Sequence, residues 1–312
     1  MLDLQEVLCS IRLRAVAGAG ADWTELGSLV DRILPQPLNP MALLPIATGR
    51  ACGGDIGDLI PVAAATLMVD SALRILDDCA DDDNPRALHL SIGVARAANF
   101  AVALNAVATR ELTRTQLPTE RLDGLLQTYF RSFLSVCHGQ DRDMTQAFDG
   151  LAQYEQAVKL KTLAAYEFAA LAGGLVASAD PHGLARCSEC GLHLGWMAQI
   201  LDDVEALWFP VAGQPPEMKK TFPALLGASI EHPNARQVQQ LLQATDGDAT
   251  RMCGLLDDMH VRTILLSSAL DHRDKAIHAL QGTGHPEGET LLKLWLASLW
   301  GDGARLLGLQ RA

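Results

Sequence analysis

Apolar positions recur every three to four residues along almost the whole chain. This spacing is typical of helices that pack one face on a core, and the alternating β-branched stretches of strands are scarce. The segment 163–177 is apolar on nearly every face, which is typical of a helix at the centre of a large bundle. The pattern predicts an all-α protein with helices at about 2–17, 22–33, 57–80, 86–112, 119–138, 144–147, 151–177, 181–208, 219–230, 234–244, 248–269, 271–281 and 287–308.

Turn-forming residues bound the two long helices that end in aspartate clusters. Gly53-Gly54 precedes the first of these helices, and Asn84-Pro85 stops it. Asp180-Pro181 opens the second, with proline in the first turn. Because no linker, repeat or low-complexity tract interrupts the pattern, the sequence predicts one all-α domain over residues 1–312.

Composition narrows the classes of function. Hydrophobic residues make up 49% of the chain, which is ample for a buried core. A formal charge of −12 without a basic stripe argues against nucleic acid as a partner. The chain begins with the acidic segment Met1–Glu6, and every long apolar run contains a charge or a breaker. We therefore expect no signal peptide, no membrane span and a cytoplasmic location.

Two aspartate clusters follow apolar runs, about 125 residues apart: Asp77–Asp83 and Asp202–Glu205. Carboxylates crowded beside a core repel one another, and they persist where a cation neutralises them. Oxygen ligands suit Mg²⁺, which also binds phosphate, so the clusters predict a site that holds a diphosphate through several Mg²⁺ ions. Asp77 and Asp81 are four residues apart and share one helical face. Taken alone, the first cluster also fits a solvated acidic helix end, although acidic groups there oppose the helix dipole.

Further segments follow the first cluster in a fixed order. They are His138–Met144, Lys159–Thr162, Gly191–Asp203 and Lys219–Pro223. In this order and spacing the chain resembles the trans-isoprenyl diphosphate synthase (polyprenyl synthetase) family. That family is marked by GGKRxRP, DDxxD followed by RR, GQxxDL, a KT pair, GxxFQxxDD and KxTxP. The resemblance implies an all-α class I terpenoid-synthase bundle around a central cavity, and a homodimer.

The resemblance also implies roles for individual side chains around an allylic diphosphate and three Mg²⁺ ions. The implied metal ligands are Asp77, Asp81, Asp82, Asp143 and Asp202, with Asp78 as a further catalytic aspartate. The implied diphosphate-binding residues are Arg86, Gln140, Lys161, Thr162, Gln199, Lys219 and Lys220. Arg86, Lys161 and Lys219 would also stabilise the leaving group.

The family's second substrate, isopentenyl diphosphate, needs basic side chains that this chain lacks. The family's Gly-Gly-Lys-Arg-x-Arg is matched to Gly53–Asp58, the histidine seven residues before the first aspartate to Asp70, and the second arginine of the RR pair to Ala87. Carboxylates in those places would repel a diphosphate, so isopentenyl diphosphate should not bind productively. In the second aspartate motif Ala206 replaces the last aspartate, and Glu205 lies one residue out of register.

The residues for the allylic diphosphate are present and those for isopentenyl diphosphate are missing, and this combination predicts a class I terpene synthase. It would ionise one linear allylic diphosphate and let the substrate's own double bonds capture the cation. The alternatives are an inactive partner subunit of a prenyl diphosphate synthase, or prenyl transfer to an acceptor other than isopentenyl diphosphate. Ala72 is small and precedes Leu73 at the positions that set chain length in the family, which favours fifteen or twenty carbons, geranylgeranyl diphosphate first. The candidate cavity residues are Leu73, Phe100, Phe133, Tyr166, Trp196 and Met197.

Overall fold

The structure, a computed structural model, describes residues 4–34, 40–81, 84–145, 150–210, 221–244 and 248–306, with side chains as far as residue 297. Within these residues it is helical throughout and contains no strand, which confirms the predicted all-α class. A 3₁₀ turn at Pro40–Ala42 and a π-helical turn at Lys159–Leu163 accompany the α-helices. The α-helices are α1 Leu4–Gly20, α2 Thr24–Ile33, α3 Leu44–Ala51, α4 Ile56–Asp81, α5 Leu88–Ile92, α6 Val94–Thr113, α7 Thr119–Met144, α8 Leu151–Val158, α9 Ala164–Val176, α10 Pro181–Trp208, α11 Phe222–Ser229, α12 Ala235–Gln243, α13 Ala249–Asp258, α14 Val261–Leu280 and α15 Pro286–Leu306.

Most predicted helices are present, and the differences lie at turns. The predicted helix 86–112 is divided at Gly93, whose φ of 83° is a left-handed conformation that glycine adopts without strain. The predicted break near 270 lies instead at His260, which has a φ of 57°. The short helix α3 was not predicted, and α7 continues through Met144 without the expected interruption.

The centre of the molecule is built around α4. Its residues 62–69 are buried, and it packs against α1, α3, α6 and α9. By length and composition α4 could cross a membrane, but 67% of its most apolar window is buried inside the protein, as expected for a core helix. The second long helix, α10, packs between α9 and α14. The acidic ends of α4 and α10 therefore lie on either side of α9 and the π-helical turn before it.

Candidate functional site

The C-terminal part of α4 presents a charged stripe. Asp70, Arg74, Asp77 and Asp81 follow one another at intervals of four, three and four residues, so they share one helical face. Asp77 is half-buried, and Asp81 is exposed at the helix end. The stripe faces the π-helical turn and α10, since its members interact with Lys161 and Asp202. Half of the predicted metal site is thus assembled on one helix.

Lys161 joins α4 to α7. Its Nζ lies 2.9 Å from Asp77 Oδ1 and 2.8 Å from Asp143 Oδ2. Burial alone would lower the pKa of Lys161, but the two carboxylates outweigh burial and raise it, so the side chain stays cationic. It lies in the π-helical turn Lys159–Leu163, a distortion that is frequent at functional sites. The close approach of α7 requires Gly139, because a Cβ there would lie 2.6 Å from the Lys161 backbone nitrogen.

The two adjacent aspartates of α10 have different environments. Asp203 is buried and accepts hydrogen bonds from the Tyr154 hydroxyl, from Gln199 Nε2 at 3.0 Å and from the Phe222 amide at 2.9 Å. Thr162 Oγ1 donates to Gln199 Oε1 at 2.5 Å, which links the π-helical turn to the same network. Burial raises the pKa of Asp203 to about 6. Asp203 therefore orders the start of α11 and Gln199, while Asp202 stays available to a ligand.

Asp202 is accessible to solvent, yet the surrounding protein desolvates it enough to raise its pKa to about 6. The negative charges of Glu205 and Asp77 raise this pKa further, and Arg74 and Lys161 lower it. Glu205, on the same side of α10 as Asp202, therefore contributes to the field where the family has its last aspartate.

This arrangement fits Mg²⁺ with a diphosphate. Mutual repulsion of Asp77, Asp202 and Glu205 favours a bound cation. Gln140 Nε2 is buried and makes no hydrogen bond, so it is available as a donor to a phosphate oxygen. In the described part of the chain no three acidic, histidine or cysteine side chains converge on one point. Mg²⁺ sites that also bind phosphate commonly have only one or two carboxylate ligands, with water and substrate phosphate as the others.

The turn after α4 is ordered by side chains of the first aspartate motif. Asn84 Nδ2 donates to Asp78 Oδ1 at 3.0 Å, and the Arg86 amide donates to Asn84 Oδ1 at 3.0 Å. Asp78 therefore has a structural partner, and the Arg86 side chain is exposed beside the end of α4. The predicted ligands Asp82, Lys219 and Lys220 lie outside the described residues.

A small apolar cavity, with about 10 Å³ of enclosed space, lies beside the charged stripe, between α4, α7 and α9. Leu73 and Phe133, both predicted cavity residues, line it. Tyr166 lies on the polar side, where burial and the charges of Asp202 and Asp70 raise its pKa. The cavity is lined by Met41, Thr66, Val69, Leu73, Tyr129, Ser132, Phe133, Val136, Ala165 and Phe168.

Four predicted substrate contacts have other surroundings. Phe100 is buried against Trp23, with ring centroids 4.9 Å apart, and does not line the cavity. Trp196 packs near Phe222 in a small separate core, and Met197 is buried in the main core. Ala72 is also buried in the main core, so its small size does not enlarge the cavity. Residue type alone did not reveal which helical face each side chain occupies.

The match of the family's basic motif to Gly53–Asp58 is wrong. Asp58 lies nineteen residues before Asp77 on one continuous helix, which puts the two about 28 Å apart at 1.5 Å per residue. Asp55 accepts a hydrogen bond from the Gly57 amide at 2.8 Å, as expected where a chain turns into a helix. One diphosphate site cannot include both ends of α4. The sequence directly before the cavity-lining Met41 is Leu34–Pro40, and it contains no lysine or arginine.

Comparisons with known proteins agree with this geometry. The family described as polyprenyl synthetase matches residues 41–258. A geranylgeranyl diphosphate synthase of Mycobacterium tuberculosis is 29% identical over 233 residues, which cover 69% of this chain and 66% of that protein. A geranylgeranyl diphosphate synthase of Methanosarcina mazei is 28% identical over 174 residues, covering 54% of this chain and 53% of the relative. The chain thus spans about half to two thirds of the length of these curated relatives.

Solved structures share the fold over nearly the full chain. A decaprenyl diphosphate synthase from Rhodobacter capsulatus has a TM-score of 0.79 at 17% identity, covering 93% of this chain and 94% of its own. A polyprenyl synthase from Caulobacter crescentus, complexed with calcium and isoprenyl diphosphate, has a TM-score of 0.77 at 22% identity, covering 92% and 93%. Both likenesses support the same helical fold.

Proposed function

Because the chain belongs to the polyprenyl synthetase family, we propose that it is an Mg²⁺-dependent enzyme that ionises one linear allylic prenyl diphosphate and cyclises the product. Prenyl diphosphate synthases generally use Mg²⁺ and act on diphosphates. Cyclisation by a terpene synthase is supported because the two halves of the site differ in their charged side chains. One half has carboxylates and a lysine in contact, and the other lacks the family's histidine and second arginine, which are Asp70 and Ala87 in this chain.

The chain's own residues account for binding and ionisation. Lys161 places a positive charge beside Asp77 and Asp143, where the diphosphate leaves, and charge that develops there is stabilised without reorganisation. Gln140 supplies a further donor. Asp77, Asp81 and Asp202 would hold Mg²⁺, which would supply Lewis acidity toward the leaving group. Asp82 and Asp143 as ligands, and a total of three ions, remain predictions from the resemblance.

The lack of a second cationic cradle is the observation that carries cyclisation. Asp70 and Ala87 stand where the family has histidine and arginine, and Leu34–Pro40 contains no basic side chain. A charge-assisted hydrogen bond contributes roughly 1.5–3 kcal/mol, so losing several removes most of a micromolar affinity, which corresponds to about 8 kcal/mol. Without that acceptor, the cation reacts with its own double bonds inside the apolar cavity.

The cavity favours the shorter of the two predicted substrate lengths. Its enclosed space is only about 10 Å³, room for roughly one water molecule, so it must widen around a prenyl chain, and a shorter chain requires less widening. Leu73 lines the cavity and Ala72 does not, which removes the reason for preferring twenty carbons. We therefore favour a fifteen-carbon substrate, farnesyl diphosphate, over geranylgeranyl diphosphate.

Chain elongation is the second candidate, and the names of the relatives favour it. The curated proteins that match this chain include geranylgeranyl diphosphate synthases and short chain isoprenyl diphosphate synthases. Elongation requires a second diphosphate to be held without the basic residues described above. An inactive partner subunit is disfavoured by the intact contact of Lys161 with Asp77 and Asp143. Transfer to an acceptor without a diphosphate remains compatible with the site.

A homodimer, predicted from the resemblance, is supported by one surface. Val102 on α6 and Phe130 and Leu134 on α7 are exposed, with Leu134 at 69%. Clustered exposed apolar side chains on adjacent helices mark interaction surfaces. The cytoplasmic location remains a prediction.

The test of the proposed function is turnover of single substrates. Purified protein with Mg²⁺ is given geranyl, farnesyl or geranylgeranyl diphosphate, each alone, and released pyrophosphate and extracted hydrocarbons are measured. We expect a cyclic hydrocarbon or alcohol from one substrate, farnesyl diphosphate first. No product from any of the three would contradict the proposal and favour the partner subunit.

A further inference from the structure

Arg74 is a second cation in the site besides Lys161, and none of the recognised motifs includes it. It lies three residues before Asp77, on the same charged stripe of α4. Its Nε donates to Asp70 Oδ2 at 3.0 Å. The side chain of Asp70 is only 14% exposed, whereas that of Arg74 is 67% exposed. A buried carboxylate therefore holds one edge of an accessible guanidinium.

Arg74 is accessible but enclosed. The negative charge of Asp70 raises its pKa most, and the neighbouring acidic groups of Asp202 and Tyr166 raise it further against a lowering by burial. These neighbours belong to α4, α9 and α10, so the guanidinium lies between the two aspartate motifs. A guanidinium carries five N–H donors, and within the described residues only Nε–H is used. Its outer edge remains available to a ligand.

We propose that Arg74 binds the diphosphate of the allylic substrate, and that Asp70 is a positioning residue which holds Arg74 in the required orientation. This inference rests on the proposed function. The planar guanidinium binds phosphate oxygens through two parallel hydrogen bonds, which a carboxylate partner at Nε leaves possible. It also explains why an aspartate occupies position 70.

The competing role would be to hold a second diphosphate, that of isopentenyl diphosphate. The position of Arg74 favours binding of the allylic diphosphate. Asp77 is one helical turn away on the same face, and Asp202 is among the groups that interact with the guanidinium. These are the carboxylates expected to hold Mg²⁺ and the leaving group. A cation placed between them neutralises the same diphosphate.

The experiment is calorimetric titration of the full chain with inorganic pyrophosphate in the presence of Mg²⁺. Arg74→Leu should weaken binding by about ten- to a hundredfold, as expected for a lost charge-assisted interaction, and Arg74→Lys should lose less. The double variant Asp70→Asn with Arg74→Leu leaves no lone buried charge, so it provides a folded comparison if Arg74→Leu alone is unstable. Arg96→Leu, which breaks the exposed ion pair with Glu25, is the control and should stay within about twofold.

Asp70 is tested separately as a positioning residue. Asp70→Asn should raise KM for the allylic diphosphate more than it lowers kcat, and Asp70→Glu should recover part of the loss. A merely structural role would lower thermal stability without separating KM from kcat.

Several outcomes would overturn the inference. Unchanged pyrophosphate binding by Arg74→Leu would do so, and so would a wild-type chain that binds no pyrophosphate with Mg²⁺. If Arg74→Leu loses only metal-free binding of isopentenyl diphosphate, the residue belongs to a second subsite instead. If Arg74→Leu weakens pyrophosphate binding while no prenyl diphosphate is turned over by the wild type, the proposed function fails and the inference stands.

Discussion

The two ends of α4 carry aspartates at similar density but in unlike surroundings. At the N-terminal end Asp55 accepts a hydrogen bond from the backbone, and Asp58 is exposed. At the C-terminal end Asp77 contacts Lys161 and belongs to a stripe that faces Asp202. About 28 Å of helix separates the two ends. An acidic motif can form a binding site only where a second helix places a cation or another carboxylate beside it.

The same contrast underlies the proposal that one half of the site binds a diphosphate and the other does not bind a second one. The first half combines residues from α4, α7, the π-helical turn and α10. The second has Asp70 engaged with Arg74 and Ala87 buried. Under this proposal the loss is confined to one half, as expected of an enzyme that uses a single substrate and not of a degenerate one.

The largest effect is expected at the C-terminal end of α4. Asp77→Asn together with Asp81→Asn should reduce turnover roughly a thousandfold or more, because the charges that recruit Mg²⁺ are removed. The matched control is Asp55→Asn with Asp58→Asn at the other end of the helix, which should leave the rate within about twofold. Steady-state release of pyrophosphate measures both, and equal rates for the two double variants would refute the site.

The second largest effect on turnover is expected from Lys161 in the π-helical turn. Lys161→Gln removes the cation beside Asp77 and Asp143, and we expect kcat to fall roughly a hundred- to a thousandfold. Lys159→Gln changes an exposed lysine of the same turn and serves as the control. Single-turnover rates separate the chemical step from release. A loss seen equally in both variants would indicate damage to the turn and not to the site.

The spacing of apolar positions was enough to predict the all-α fold, and the order of the motifs predicted which side chains lie around Lys161. Asp77, Asp202, Lys161 and Gln199 could be identified because their spacing is shared with the family. Arg74 could not, although its place three residues before Asp77 was a usable signal. Its function depends on which groups α9 and α10 place opposite it.

The wrong assignments also have physical causes, because they depend on which face of a helix a side chain occupies and on backbone conformation. The match of Gly53–Asp58 failed because it relied on residue order alone, although the predicted helix 57–80 already separates Asp58 from Asp77. Phe100 was assigned to the cavity, but it faces Trp23 on the other side of the core. The division of the chain at Gly93 and His260 follows backbone conformations that hydrophobic periodicity does not report.

A change in the cavity should alter the preference for substrate chain length without affecting ionisation. Leu73→Phe narrows the space between α4 and α7, so the preference for farnesyl over geranyl diphosphate, as a ratio of kcat/KM values, should fall roughly tenfold. Leu76→Phe is a control on the same helix, since Leu76 is exposed. An unchanged ratio would show that the chain does not enter this cavity.

The Asp203 network should affect stability. Tyr154→Phe removes one hydrogen bond to a buried carboxylate, and we expect the free energy of unfolding to fall by about 1–3 kcal/mol. Denaturant unfolding monitored by circular dichroism provides the value. Phe133→Leu is a control for the loss of side-chain volume. It should not change how much Mg²⁺ with pyrophosphate raises the free energy of unfolding. Unaltered stability of Tyr154→Phe would mean that the network is not needed to order α11.

The smallest effect concerns pH. Asp202 has a pKa of about 6 in the folded chain against 3.8 ordinarily, so between about pH 4 and 6 the folded state binds more protons than the unfolded state. The metal-free protein should therefore lose stability as pH rises through this window, and Asp202→Asn should lose less. Melting temperatures of both proteins across pH 4–7.5 measure the difference. Parallel curves would place Asp202 in an ordinary solvated environment.

The central claim, that the site holds one diphosphate and not two, is tested most directly with isotopically labelled isopentenyl diphosphate. The protein is incubated with Mg²⁺, its preferred allylic diphosphate and the labelled compound, and the products are dephosphorylated and separated by chain length. We expect a cyclic product that carries no label, formed at a rate independent of isopentenyl diphosphate. A labelled linear prenyl alcohol five carbons longer than the substrate would contradict the claim and identify the chain as an elongating synthase.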